Sequence, residues 1–296
     1  MIVQTAGLTK RYGTHAALDG VDLSVPPGSV YGLVGPNGAG KTTLLGILAG
    51  LRRPTSGEIG VSAARSRVAM LPDTPQFDPW LTGREVVLLA AHLAAGPGGR
   101  PVTAERADAV LADSGLADAA DRRVGGYSRG MLQRLGFAAT IVGDPELLLL
   151  DEPASALDPI GRREVLDLIA RLRGRATVVF SSHILADVQE VCDRIGIMRD
   201  GRLLFQGTVE DLLVGRATPA YRVRLRGGAP EVEARLRDQP WVTDVRPETG
   251  GLLVGVRTVT DAETHLAGVL AAAGAQVISL GPREADLEDV FLELMS

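Results

Sequence analysis

Residues 35 to 42, Gly-Pro-Asn-Gly-Ala-Gly-Lys-Thr, satisfy G-x-x-x-x-G-K-[ST] at every fixed position. In that pattern backbone amides converge on phosphate oxygens, and glycines keep the approach clear of side chains. Lys41 then bridges the β- and γ-phosphates and Thr42 offers its hydroxyl to Mg2+. Gly35, Pro36, Asn37, Gly38, Ala39, Gly40 and the adjoining Thr43 complete the cradle. Of 31 basic residues only Lys10 and Lys41 are lysine. A compact ammonium fits between phosphate oxygens where a planar guanidinium needs a different geometry, so Lys41 stands out from an arginine background.

A second group is the run Leu147-Leu148-Leu149-Leu150-Asp151-Glu152. Two acids after a strand are commonly a helix cap or part of a salt-bridged loop. Four leucines before them and a phosphate loop upstream reverse that reading. The strand delivers Asp151 to the magnesium shell and Glu152 to the γ-phosphate, where a carboxylate orients or deprotonates the attacking water. Some twenty residues earlier lies Tyr127-Ser128-Arg129-Gly130-Met131-Leu132-Gln133.

These residues need a scaffold, and the hydrophobic pattern supplies one. Ser29 to Val34 reads as a strand running into the glycine loop, followed by a helix from Lys41 to about Leu51, the strand-loop-helix order that phosphate chemistry requires. Glu85 to Ala95, Thr103 to Asp113 and Ser128 to Ile141 have helical character, divided by Gly96-Pro97-Gly98-Gly99. They suggest an inserted helical subdomain over about 82–145. Leu147 to Leu150 and Ala176 to Phe180 are continuous apolar runs of buried parallel strands. Pro159 to Arg173 between them is helical, with proline in its first turn.

After Gly215 the character changes. Strand patterns at Tyr221 to Leu225, Trp241 to Arg246, Leu252 to Arg257 and Gln276 to Leu280 alternate with helical ones at Glu231 to Leu236 and Asp261 to Ala273. That order predicts a small ferredoxin-like α+β domain. The expected division is 1–215 for an α/β P-loop ATPase core and 216–296 for an accessory domain. Leu287, Val290, Phe291 and Leu294 repeat at helical spacing and form an apolar stripe that packs on its own domain or on a partner.

Composition narrows the partners. The 296 residues carry a net charge of −5 with 45% hydrophobic content, which fits a globular protein of two domains at about 150 residues each. No basic excess or stripe favours nucleic acid. The single cysteine, Cys192, rules out an internal disulfide and suits a reducing compartment. Its apolar neighbours Leu185, Val188 and Val191 predict a packing role. Met1-Ile2-Val3 leads into a strand with no signal-like stretch, so a cytosolic chain is expected. No apolar run reaches the roughly 18–20 residues that span a bilayer, so a transport path has to come from another chain.

The motif series Gly35 to Thr42, Ser128-x-Gly130, Asp151-Glu152-Pro153, Ser155-Ala156-Leu157-Asp158 and Ser181-Ser182-His183 resembles the ATP-binding cassette ATPases, over residues 1 to about 215. The ending Leu287-Glu288-Asp289-Val290-Phe291-Leu292 and the Tyr-Ser-x-Gly-Met form look like the drug-export or ABC-2 type. The resemblance implies that Tyr12 stacks on adenine, with a core tyrosine as the competing reading. It implies that His183 contacts the γ-phosphate and aligns water with Glu152. Ser128, Arg129 and Gly130 would serve the nucleotide held by a second protomer, in a head-to-tail dimer. Arg129 and Met131 stand where the family usually has glycine and glutamine. The family's magnesium-touching glutamine follows a Leu-Pro pair; here Asp73 follows Leu71-Pro72, with Gln76 as the alternative. Phe77 and Trp80 are candidate contacts for a separate membrane permease, or simple packing. The function implied is the ATPase subunit of a two-component exporter, peripheral on the inner face of the membrane through its permease. A soluble cassette ATPase acting on ribosomes or nucleic acid, and a regulatory nucleotide-binding module, are the alternatives.

Overall fold

The computed structural model describes residues 1–96, 103–155, 157–213, 219–227 and 229–283, with Phe291 and Leu294. Ala156, Leu287 and Val290 lie outside the described residues. The chain divides into two compact units, Met1–Val209 and Glu210–Ser296.

The first unit opens with β1 (Val3–Tyr12), β2 (His15–Val21), β3 (Ser24–Val25) and β4 (Val30–Val34), then α1 (Lys41–Leu48), β5 (Ser56–Val61) and β6 (Val68–Leu71). Three helices follow, α2 (Gly83–Ala95), α3 (Ala104–Asp113) and α4 (Arg129–Ile141). The rest of the unit is β7 (Leu147–Leu150), α5 (Pro159–Arg171), β8 (Thr177–Ser182), α6 (Leu185–Val191), β9 (Arg194–Arg199) and β10 (Arg202–Gly207).

The central sheet has six strands in the order β10-β9-β4-β8-β7-β6. The pairs β9/β4, β4/β8, β8/β7 and β7/β6 are parallel, and β10 closes one edge antiparallel to β9. Every residue of β4, β7 and β8 is buried. Strands covered on both faces read as continuous apolar runs, which is why Leu147–Leu150 carries no alternation. Burying each of those leucines contributes roughly 1.5–3 kcal/mol. A second, antiparallel sheet of β2-β1-β3, with β5 also on β1, shares a core with α1 that includes Leu8, Leu18, Leu44, Leu45 and Leu149.

Helix starts follow capping chemistry. Thr82, Thr103, Ser128 and Asp158 each accept a backbone N–H at the start of α2, α3, α4 and α5, and Thr82 with Glu85 forms a reciprocal capping box. Pro159 sits in the first turn of α5, where its missing N–H costs nothing. Helix α1 is shorter than its pattern suggested, ending at Leu48. Strand β8 runs two residues further than expected, so that Ser181 and Ser182 belong to the sheet.

In the second unit, α7 (Val209–Leu213) begins at the division between the units, followed by β11 (Ala220–Leu225), α8 (Ala229–Arg237), β12 (Val242–Glu248), β13 (Gly251–Val256), α9 (Val259–Ala272) and β14 (Val277–Arg283). The strands order as β12-β13-β11-β14, all antiparallel. That is the split βαβ arrangement of a ferredoxin-like domain. Tyr221, Val223, Trp241, Val254, Leu266 and Leu270 fill its core. Phe291 and Leu294 are helical and half-buried. Among the described residues no helix is long and apolar enough to cross a membrane.

Candidate functional site

The glycine loop leaves β4 at Val34 and enters α1 at Lys41. Gly40 is the N-cap residue, at φ 100°, and gives no side-chain cap. A β-carbon there would lie 2.4 Å from Ala17 O, so both the backbone conformation and the space demand glycine. A β-carbon on Gly35 would lie 2.2 Å from Met198 O. While α2 to α5 spend a side chain on their first amides, α1 leaves its own free for an anion. Ala39 N–H donates to Pro36 O at 3.2 Å, closing the turn. Asn37 and Gly38 are exposed at its tip, and Thr42 presents an exposed hydroxyl while Thr43 packs inward.

Lys41 is only 6% exposed. Its ammonium donates to Gly35 O at 2.6 Å and Pro36 O at 3.2 Å and lies 3.3 Å from Glu152 Oε1. That last contact is ionic: Oε1 is shielded from solvent and, among the described residues, has no hydrogen-bond partner.

Asp151 and Glu152 follow β7 directly. Asp151 is 2% exposed and its N–H donates to Leu71 O at 2.8 Å, extending the ladder to β6. Glu152 takes the left-handed conformation, φ 47°, which is uncommon for a residue with a side chain. Ser181 joins the two acids. Its hydroxyl donates to Asp151 Oδ1 at 2.7 Å and accepts the Glu152 N–H at 2.8 Å. His183 Nδ1 lies 2.8 Å from Glu152 Oε2. One carboxylate is therefore flanked by Lys41 and His183.

Asp73 is tied to the same loop, accepting from Ser155 Oγ at 3.2 Å, while Ser155 N–H donates to Glu152 O at 3.2 Å. Gln76 is exposed and makes no hydrogen bond among the described residues. Asp158 is occupied as the cap of α5, accepting from Gly161 N at 2.9 Å. Tyr12 is no core residue. It ends β1 at 46% exposure, with Lys10 Nζ 4.9 Å above its ring and Arg52 donating to its hydroxyl at 3.1 Å. Its ring already accepts a cation, and it is free to present a face.

The Ser128 turn stands apart. Ser128 is the exposed N-cap of α4, accepting from Met131 N at 3.3 Å. Arg129 is exposed and Gly130 half-buried, close to Leu157. Among the described residues no hydrogen bond or ion pair joins residues 128–130 to 35–43. Trp80 is 72% exposed and Phe77 half-buried. The sulfur of Cys192 lies where a Gly32 β-carbon would approach to 2.7 Å, and burial pushes its thiol pKa well up.

A nucleotide triphosphate with Mg2+ fits these residues. The cradle excludes β-carbons, the lysine is desolvated, and the metal donors are oxygen only. Among the described residues no three His, Cys, Asp or Glu side chains form a protein-only metal cage. A hydroxyl and a carboxylate are the sparse set Mg2+ accepts when phosphates and water complete its octahedron.

Ser181 was within the histidine motif but carried no assigned role. Its partners lie some thirty positions away, so only the pairing of β7 with β8 brings them together.

Known proteins resemble this chain in sequence and fold. The family model for ABC transporters matches residues 18–155. The uncharacterized ABC transporter ATP-binding protein YxlF of Bacillus subtilis (strain 168) is 36% identical over 97% of this chain and 97% of its own length. The daunorubicin resistance ATP-binding protein DrrA3 of Streptomyces coeruleorubidus is 38% identical over 97% of this chain and 94% of its own. A solved ATP-binding subunit of an ABC transporter superposes with a TM-score of 0.65 at 28% identity, over 72% of this chain and 92% of that one. With a phosphate cradle, an acid pair after β7 and relatives matching it nearly end to end, the chain belongs to the ABC transporter ATP-binding proteins, ATPases that use ATP with Mg2+.

Proposed function

We propose that this chain is the ATP-hydrolysing subunit of a two-component exporter, in which two copies close on ATP and drive a separate membrane permease. The observation that carries the catalytic part is the position of Glu152. One oxygen lies beside Lys41 and the other beside His183, and the backbone is held to Asp151 through Ser181.

Each residue then has a task. Gly35 to Thr43 receive the phosphates through the loop amides and the uncapped start of α1. Lys41 exchanges its contact with Glu152 for the β- and γ-phosphates, which frees Glu152 Oε1 for the attacking water. Thr42, Asp151 and Asp73 would hold Mg2+, which would supply Lewis-acid charge to the phosphate oxygens. Glu152 orients that water and takes its proton. An ionised carboxylate only accepts hydrogen bonds, so His183 Nδ1 carries a proton toward Oε2. His183 contacts the γ-phosphate and keeps the attacking water aligned with Glu152. Tyr12 stacks on the adenine.

Ser128, Arg129 and Gly130 complete the site held by the second copy. The exposure of Ser128 and Arg129 at the start of α4, apart from this chain's own phosphate loop, supports that sharing. DrrA3, by its name a drug-resistance ATP-binding protein, supports an exporter, with the chain on the inner face of the membrane through its permease. Trp80 and Phe77 are the surface offered to that permease. The second unit, Glu210–Ser296 where the sequence pattern placed 216–296, is accessory to the core.

Mixing Lys41→Ala with Ser128→Ala protomers tests the sharing. Recovery of part of the ATPase activity through one intact composite site is expected, and no recovery at any ratio contradicts it.

A further inference from the structure

We propose that Ser181 is a positioning residue that sets the metal-binding acid and the base relative to one another. The inference rests on the roles given above to Asp151 and Glu152. Strand β7 ends at Leu150, paired with Phe180, whereas β8 continues through Ser181 and Ser182, which pair with Leu33 and Val34 of β4. The backbone of Ser181 is thus held from the β4 side, on a position with no solvent exposure. Beyond the last rung toward β7, its side chain takes over from the ladder. The hydroxyl accepts the N–H of Glu152 and gives its own hydrogen to Asp151 Oδ1.

Both bonds bear on the reaction geometry. The first anchors the peptide of a residue at φ 47°, in a region that side chains leave unless the surroundings hold them there. Without that acceptor the Glu152 backbone relaxes, and its carboxylate shifts in the gap between Lys41 and His183. The second occupies one oxygen of Asp151 and orients the carboxylate, as outer partners of metal ligands do. A hydroxyl is suited to the place because it donates and accepts at once. Alanine does neither.

The test uses the full chain with Ser181→Ala, which deletes one atom, and Ser181→Thr, which keeps the hydroxyl. Thermal unfolding, binding of a fluorescent ATP analogue with and without Mg2+, and steady-state ATPase kinetics are measured for both. In the alanine variant kcat falls by about 10- to 100-fold, the Mg2+-dependent gain in nucleotide affinity shrinks, and metal-free binding stays within about twofold. Threonine recovers most of kcat. The proposal is overturned if Ser181→Ala keeps kcat within about twofold, or if metal-free binding falls in step with kcat, the mark of a general loss of structure. Glu152→Gln measured alongside separates the levels. If it hydrolyses ATP normally, the reading of the acid pair fails; if it is inactive while Ser181→Ala is not, only the role of Ser181 fails.

Discussion

Replacing Ser128 by aspartate or alanine separates helix capping from contact with a partner's nucleotide. Ser128 Oγ accepts the Met131 N–H at 3.3 Å, at the long end for a hydrogen bond, so Ser128→Ala costs about 0.5–1 kcal/mol of stability. In a unit the size of Met1–Val209 that lowers Tm by roughly 1–4 °C. Aspartate caps as well as serine and adds a favourable charge to the start of α4, about 0.3–1 kcal/mol. Stability therefore orders Asp at or above Ser, and Ser above Ala. Hydrolysis orders differently if the exposed hydroxyl meets a γ-phosphate across the dimer. Alanine forfeits one hydrogen bond to a charged group, about 1.5–3 kcal/mol or roughly 10- to 150-fold in rate. Aspartate also sets a carboxylate against phosphate and is the least active. Calorimetry and steady-state ATPase rates on the three proteins decide it. If activity follows Tm, with aspartate as active as serine, Ser128 is a cap and nothing more.

Gly35→Ala places a β-carbon 2.2 Å from Met198 O, a backbone atom that cannot swing aside; nucleotide binding measured by fluorescence is expected to weaken by more than about tenfold. Asp73→Ala raises the Mg2+ concentration needed for half-maximal ATPase activity, and Gln76→Ala does not; the reverse outcome reassigns the lid contact. Cys192, whose thiol pKa burial pushes well up, contributes little thiolate at pH 8. It should react with a disulfide reagent only after denaturation, and fast labelling of the native protein contradicts its packing role.

The glycine loop of the candidate site was legible because its pattern is local. Gly35 to Thr42 needs only β4 and α1 around it, and Ser128, Thr103 and Asp158 mark helix starts in a single turn of chain. The four buried leucines of β7 announced a doubly covered strand, and the order of patterns after Gly215 matched the sheet β12-β13-β11-β14. What stayed hidden depends on distant pairing. The crowding of Gly35 by Met198 and of Gly40 by Ala17 arises from strands that no local pattern places together. Strands β9 and β10 at the sheet edge were not read at all. The reach of β8 to Ser182 was missed because serines dilute an apolar run, although those two residues carry the sheet to the acids. The left-handed turn at Glu152 has no mark in residue type, since glutamate is not a residue that favours it.

Glu152, set beside Lys41 and His183, is proposed as the base for ATP hydrolysis. Glu152→Gln keeps the shape and removes the proton acceptor. Light scattering with ATP and Mg2+, paired with phosphate release, tests it most directly. The expected result is an ATP-bound dimer that persists, with turnover reduced by about 100-fold or more. A variant that hydrolyses ATP at the wild-type rate and dissociates on the same schedule contradicts the claim.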